Sequence, residues 1–365
     1  MLYLCCSLKM GIKDLNKFLR SKCPQVYKEV HLSNLQFKKC AVDISLYIFK
    51  YVTIFGEDGW IVAFLNLVSC LRRNNIHACF IYDTKAPEEK NEERKDRREK
   101  RDKLDERIAQ LCIALDKAKM TNEFDPILLD LIKDSENSVG RKRLLGPNPG
   151  KLRIDIDEIE RQVERVKKQS VKLSSVEFDL TKSIFQILGV PHFNAPGEAE
   201  TTCAHLCKKG EVDFVLSEDT DVLAYGAPFF LTKINTFSDT CVLISYDEVL
   251  SALDFSREEF LDLCIMFGTD YNKNIFKIGP EKAFKLLNEH RTIEKVAESG
   301  IDVSPLKHVR VRELFQEYEQ FNEHIPYCKP ADYNKLSEFM FKHNIRFNIE
   351  KLKRDLAPPE LSFED

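Results

Sequence analysis

A chain of 365 residues, 43% of them hydrophobic, has enough apolar surface for a substantial core, which excludes a disordered polymer and leaves one large domain or two of ordinary size. Its formal net charge of −4 excludes a uniformly basic surface, so any phosphate contact has to come from a local cluster of cations. The 12 cysteines include no CxxC pair to build a zinc site, no apolar run reaches the roughly 18 residues of a membrane span, and the opening MLYLCCSLK is too short for a signal peptide; a soluble intracellular protein with reduced thiols and no membrane partner is expected.

The segment Lys38-Lys39-Cys40-Ala41-Val42-Asp43 reads as a short apolar strand ending in an acid, followed by the helical pattern Leu46, Phe49, Val52, Ile54. Phe64, Leu65, Leu67, Val68 and Leu71 mark a further amphipathic helix, after which Ala78-Cys79-Phe80-Ile81-Tyr82-Asp83 is another apolar run ending in Asp. Between Glu88 and Lys172 charge replaces the apolar pattern. Lys85 to Arg107 carries ten basic and nine acidic residues, which suits a solvated helix laced with i,i+4 pairs. Farther on, Arg141, Lys142, Arg143, Lys151, Arg153, Arg161, Arg165, Lys167, Lys168 and Lys172 outnumber the acids ten to five and form the expected DNA-facing patch, interrupted by the helix-breaking Gly146-Pro147-Asn148-Pro149-Gly150. Thr181 to Leu188 and Ala199 to Lys208 read as helices, and Val212 to Leu216 as a strand running into Ser217-Glu218-Asp219-Thr220-Asp221. From Ser256 onward the pattern is helical. The alternation predicts an α/β fold in three layers, a mostly parallel central sheet with helices on both faces, whose sites lie at the carboxyl ends of the strands.

Such a sheet would bring Asp43, Asp83, Asp219 and Asp221 together at one edge. Pro196-Gly197-Glu198-Ala199-Glu200 adds two acids in the first turn of a helix, and Asp270 follows an apolar helix in Phe267-Gly268-Thr269-Asp270-Tyr271. Singly, each has an ordinary reading: Asp43 as a helix N-cap, Asp219 or Asp221 as turn formers, Glu198 and Glu200 as dipole complements, Asp270 as a helix-end residue. Jointly they would repel unless cations sat among them. Seven oxygen ligands with no organised Cys or His suit Mg²⁺ or Mn²⁺, and two such ions about 4 Å apart would support in-line phosphodiester displacement.

These stretches, in this order and with Met10-Gly11-Ile12-Lys13-Asp14-Leu15, Tyr82-Asp83-Thr84-Lys85 and Gly268-Thr269-Asp270-Tyr271, resemble the flap-endonuclease/XPG-type family of 5′ nucleases. The resemblance implies a PIN-like 5′-nuclease fold with a helical arch. It gathers Asp43, Asp83, Glu198 and Glu200 round one Mg²⁺ and assigns Asp219, Asp221 and Asp270 to the other, with Mn²⁺ as a substitute. It places Lys90 and Arg97, seven apart on one helix face, at the scissile phosphate as catalytic residues, where positive charge meets developing negative charge. Phe49 matches a position that stacks on an unpaired base, its ordinary reading being a core Phe. Ile275-Phe276-Lys277-Ile278-Gly279-Pro280-Glu281-Lys282 resembles a helix–two-turn–helix hairpin, with Lys277, Gly279 and Lys282 at duplex phosphates and a potassium ion bound; Lys277 stands where the family has its first glycine, and an ordinary packing element is the alternative.

The expected organisation is one nuclease domain: an extension at 1–9, read as a mis-assigned start or a processed segment, an N-terminal nuclease region at 10–110, an enlarged arch insertion at 111–180, an internal nuclease region with the hairpin at 181–295, and a C-terminal helical region at 296–365. Branched DNA (5′ flaps, nicks, junctions) is the expected partner and a monomer the expected state. The tail Pro358-Pro359-Glu360-Leu361-Ser362-Phe363-Glu364-Asp365 carries no sliding-clamp motif. The expected activity is structure-specific 5′ flap cleavage with 5′–3′ exonuclease action in replication and repair, in the nucleus or, for a viral source, at a cytoplasmic replication site. A Holliday-junction resolvase or long-patch 5′ exonuclease of the same family, and a catalytically silent DNA-junction scaffold, are the alternatives.

Overall fold

A computed structural model describes residues 11–121, 123–131, 156–318 and 320–357. The extension and Met10, the cations Arg141, Lys142, Arg143, Lys151 and Arg153, the Gly146–Gly150 break and the tail from Pro358 lie outside the described residues. Two compact units form: the first joins the chain up to Lys90 to the chain from Leu173 onward, and the second is Asn91–Lys172.

The first unit is organised by a seven-stranded sheet of β1 (Lys28–His31), β2 (Lys39–Asp43), β3 (His77–Tyr82), β4 (His192–Asn194), β5 (Phe214–Leu216), β6 (Phe229–Asn235) and β7 (Thr240–Ser245), in the order β1-β7-β6-β5-β2-β3-β4. The pairs β6/β5, β5/β2, β2/β3 and β3/β4 are parallel, and β7 alone runs the other way, pairing antiparallel with β6 on one side and with the edge strand β1 on the other. Two-residue alternation sends Cys40, Val42, Phe80 and Tyr82 into one apolar layer and Ala41, Cys79 and Ile81 into the other. Both layers are covered, so the central strands are apolar on both faces and read as continuous hydrophobic runs. One layer is closed by the helices Ile44–Arg73, Ser175–Ile187, Tyr333–Lys342 and Ile349–Leu356, the other by Leu15–Lys22, Ala199–Lys209, Tyr246–Leu253 and Arg257–Phe267.

The helical patterns around Leu46 and Phe64 are two helices, as the sequence reading has them, run together in the element Ile44–Arg73 across a break at Gly56, whose φ of 69° and ψ of −171° no helix accommodates. The sheet departs from the sequence reading in strand number: β1, β4, β6 and β7 lie outside the expected strands. β1 is a solvent-facing edge strand whose Lys28-Glu29-Val30-His31 lacks the apolar alternation that marks a half-buried strand.

The second unit is helical: Asn91–Thr121, residues 126–131 and Ile156–Lys167. It has its own small core of Leu111, Ala114, Leu115, Leu128, Ile159 and Val163. The charged half of the first helix carries the i,i+4 pair Glu93–Arg97. Three cations of the expected basic patch sit beside acids, Arg161 with Glu158, Lys167 with Glu164 and Lys172 with Asp105.

Candidate metal centre

The sheet register builds the site. Asp43 closes β2 opposite Ile81, so Asp83 leaves β3 just beyond it; Val42 lies opposite Leu216, so Asp219 and Asp221 emerge from β5 at the same edge. The ordinary readings of these acids hold alongside the convergence. Asp43 accepts the Ser45 amide at 3.1 Å as the N-cap of the next helix, and Asp219 Oδ1 accepts the Asp221 amide at 2.9 Å in a tight turn. Asp83 Oδ1 accepts the Ala199 amide at 2.7 Å, capping from another segment the helix that carries Glu200. Thr84 completes the stitch, its amide donating to Gly197 O at 3.0 Å and its hydroxyl to Ala195 O at 2.8 Å.

Oxygens of Glu200, Asp219 and Asp221 lie within 4.8 Å of one another. Glu200, which the resemblance assigns to the other ion, therefore stands with the Asp219/Asp221 pair. Asp43 and Glu200 are each 9% exposed and Asp221 is 2% exposed. Burial, with the charges of Asp83 and Asp219 nearby, holds the Asp43 carboxyl well above its usual range; burial with neighbouring acids does the same for Glu200 and Asp221. The N-terminal stretch is fastened to this cluster: the Ile12 amide donates to Asp221 Oδ1 at 2.6 Å and the Lys13 amide to Gly268 O at 3.1 Å. Gly11 has a φ of +74°, and a Cβ there would lie 2.0 Å from Asp219 Oδ1 and 2.9 Å from Asp221 Oδ1. Only glycine fits so close an approach.

Lys90, 7% exposed, ends the short turn Glu88–Lys90 and extends its ammonium into the acids, 2.8 Å from Glu198, 3.2 Å from Glu200 and 3.7 Å from Asp270. Burial opposes its charge, but Glu200, Tyr271, Glu198 and Asp270 more than offset that, so its proton is held more tightly than in water. Tyr271 supports the arrangement: its hydroxyl donates to Glu198 Oε2 at 3.1 Å, and its ring centroid lies 5.0 Å from the ammonium. All seven acids and Lys90 thus belong to one connected cluster. Asp83, Glu198, Asp219 and Asp270 are its more accessible members.

Arg97 lies in the second unit, where its Nε donates to Glu93 at 2.6 Å. Phe49 is half-buried and belongs to neither core layer. In the hairpin segment, exposed Lys277 adopts a φ of 61°, the left-handed conformation a glycine would supply. Gly279 caps the helix Pro280–His290, whose exposed Lys282 reaches Lys277 O at 3.5 Å. The sequence reading missed Gly11 and Tyr271 as parts of the site, although both sit in motifs it singled out. It also missed Lys50, which pairs with Glu218 at 2.8 Å beside the cluster.

Residues 10–104 match the XPG N-terminal domain and residues 189–270 the XPG I-region. The "Probable RAD2-like endonuclease 076L" of Invertebrate iridescent virus 3 is 34% identical over 330 residues, covering 84% of this chain and 85% of that one. Flap endonuclease 1 of Debaryomyces hansenii is 30% identical over 306 residues, covering 79% of this chain and 69% of its own. Among solved structures, the catalytic core of Rad2 in complex with DNA substrate superposes with a TM-score of 0.66 at 16% identity, over 95% of this chain and 99% of that one. At that identity the likeness concerns the fold.

Proposed function

Given that the chain belongs to the XPG family of 5′ nucleases, we propose that it is a magnesium-dependent, structure-specific endonuclease that cuts branched DNA at 5′ flaps and also acts as a 5′–3′ exonuclease. One observation carries the reading: seven carboxylates from segments scattered between Asp43 and Asp270 meet at one sheet edge, and the tight group among the described residues, Glu200, Asp219 and Asp221, is made of carboxylates alone. Glu200, Asp219 and Asp221, three buried or half-buried oxygen donors within 4.8 Å, fit a hard cation. Asp43, Asp83, Glu198 and Asp270 complete a set able to hold two. When bound, Mg²⁺ (or Mn²⁺ in its place) supplies an activated water and stabilisation of the leaving oxygen.

The chain's own residues do the rest. The caps at Asp43 and Asp83 and the turn at Asp219 fix their carboxylates before any ligand arrives, so little reorganisation is left for the reaction. Lys90 brings a buried positive charge to the place where phosphate charge would grow, and Arg97 acts with it from the following helix. Phe49 offers a ring face to an unpaired base. Lys277, Gly279 and Lys282 present exposed cations and a helix start to duplex phosphates, with a potassium ion at the same hairpin.

The test is cleavage of end-labelled flap, nick, bubble and four-way-junction DNAs in Mg²⁺, with the cut positions mapped. Cuts at the base of the 5′ flap are expected. Preferential, symmetric cutting of four-way junctions would make the protein a resolvase, and inertness toward every branched DNA in both Mg²⁺ and Mn²⁺ would overturn the proposal.

A further inference from the structure

Lys90 is held from behind. The residue before it, Glu89, accepts two hydrogen bonds from the guanidinium of Arg310, from Nε at 3.0 Å and from Nη2 at 2.8 Å, although the two residues are 221 positions apart. Arg310 lies on the helix His308–Gln316, and its Nη1 also meets Glu313 at 3.0 Å and Glu317 at 3.3 Å, so its fork is fixed by three acids. The same helix supports the other end of Lys90. Phe315, 4% exposed, packs its ring 5.4 Å from that of Tyr271, the aromatic face against which the Lys90 ammonium rests. Arg312 anchors the helix itself through Asp262, 2% exposed, with contacts of 2.6 and 2.7 Å.

We propose that Arg310 is a positioning residue for Lys90: through Glu89 it sets the turn that delivers the ammonium to Glu198, Glu200 and Asp270. A C-terminal helix thereby controls the placement of a cation near the start of the chain. The inference rests on the reading of Lys90 as the cation that serves the scissile phosphate. Arg310 itself is half exposed and touches neither the acids nor any reacting atom in this arrangement, so its influence passes through the backbone of one neighbouring residue.

Two measurements on the full-length protein test this. The first is the rate at which an amine-acylating reagent modifies Lys90, followed by mass spectrometry without metal or DNA. In the wild type the buried ammonium is protected; Arg310→Ala and Glu89→Gln are each expected to raise its labelling about two- to fivefold, the range a half-exposed ion pair commands, and Arg310→Lys to keep most of the protection. The second is single-turnover cleavage of a 5′ flap in Mg²⁺. Arg310→Ala should slow it about two- to fivefold with flap binding unchanged, and should add nothing in a Lys90→Ala background, because both changes remove one function. Unchanged Lys90 labelling in both variants overturns the brace, as does full additivity of Arg310→Ala with Lys90→Ala. Raised labelling in a protein that cuts no branched DNA upholds the brace and sinks the nuclease reading instead.

Discussion

Replacing Gly11 by alanine adds one methyl group at the point where the N-terminal stretch meets the acid cluster. That carbon would lie 2.0 Å from Asp219 Oδ1, so the oxygen has to retreat by about 1.4 Å to reach ordinary van der Waals contact. The atom it meets is the end of a side chain, and rotation of Asp219 relieves the clash cheaply. What remains for stability is the left-handed backbone at a φ of +74°, which costs alanine roughly 1–2 kcal/mol. Function has no such escape. Asp219 Oδ1 also accepts the Asp221 amide at 2.9 Å, and rotating it away loosens that turn and moves a ligand oxygen by more than an ångström. Displacements of that size at a reacting centre cost about 100-fold in rate. Gly11→Ala should therefore melt only a few degrees below the wild type, bind a 5′ flap with similar affinity, and cleave it about 100-fold more slowly under single-turnover conditions. Wild-type cleavage by a folded Gly11→Ala protein would show that Asp219 does not have to occupy its observed place.

Four further outcomes follow from the same geometry. Asp219→Ala or Asp221→Ala should abolish cutting while leaving flap binding largely intact; residual cleavage by the purified Asp221→Ala protein in Mg²⁺ would count heavily against the metal assignment. Lys90→Ala and Arg97→Ala should each slow single-turnover cleavage by about 10- to 1,000-fold and weaken binding far less, whereas equal losses in both would mark them as general electrostatic contacts. Because the folded carboxyls of Asp43, Glu200 and Asp221 titrate above their ordinary values of 3.8 and 4.5, they stabilise the metal-free protein below those values and the contribution is lost as pH rises through the raised ones. Calorimetry should accordingly show the metal-free melting temperature falling as pH rises above the ordinary carboxylate range, while Mn²⁺ affinity climbs with release of protons; a pH-independent Mn²⁺ affinity would contradict it. Lys277→Gly should leave stability unchanged or slightly improved, since the left-handed φ of 61° suits glycine, yet lower the salt-dependence slope of duplex binding by about one unit.

The acids of the central strands were legible because a short apolar run ending in Asp carries its own placement: strands fully buried in a parallel sheet are apolar throughout, and their carboxyl ends share an edge. Asp43, Asp83 and Asp219 needed no contact information beyond that rule. Glu198 and Glu200 were ambiguous, since acids in a first helical turn are common for dipole reasons alone. Other features were illegible for one physical reason, that they exist only between distant segments. Nothing local in Gly11 announces two carboxylates across the fold, and nothing in Arg310 announces Glu89. The edge strand β1 escaped notice because it faces solvent and needs no apolar alternation. The break at Gly56 separates the two helices that the apolar patterns around Leu46 and Phe64 mark.

The fastening of Ile12 to Asp221 spans 209 residues, and Asp270 comes later still. A ribosome-bound chain that has not yet exposed Asp270 holds an incomplete set of acids, whatever earlier strands have formed. On the proposed assignment of the seven acids, the growing polypeptide is harmless to nucleic acid until Asp270 has joined the earlier strands, and cutting competence arrives late in synthesis.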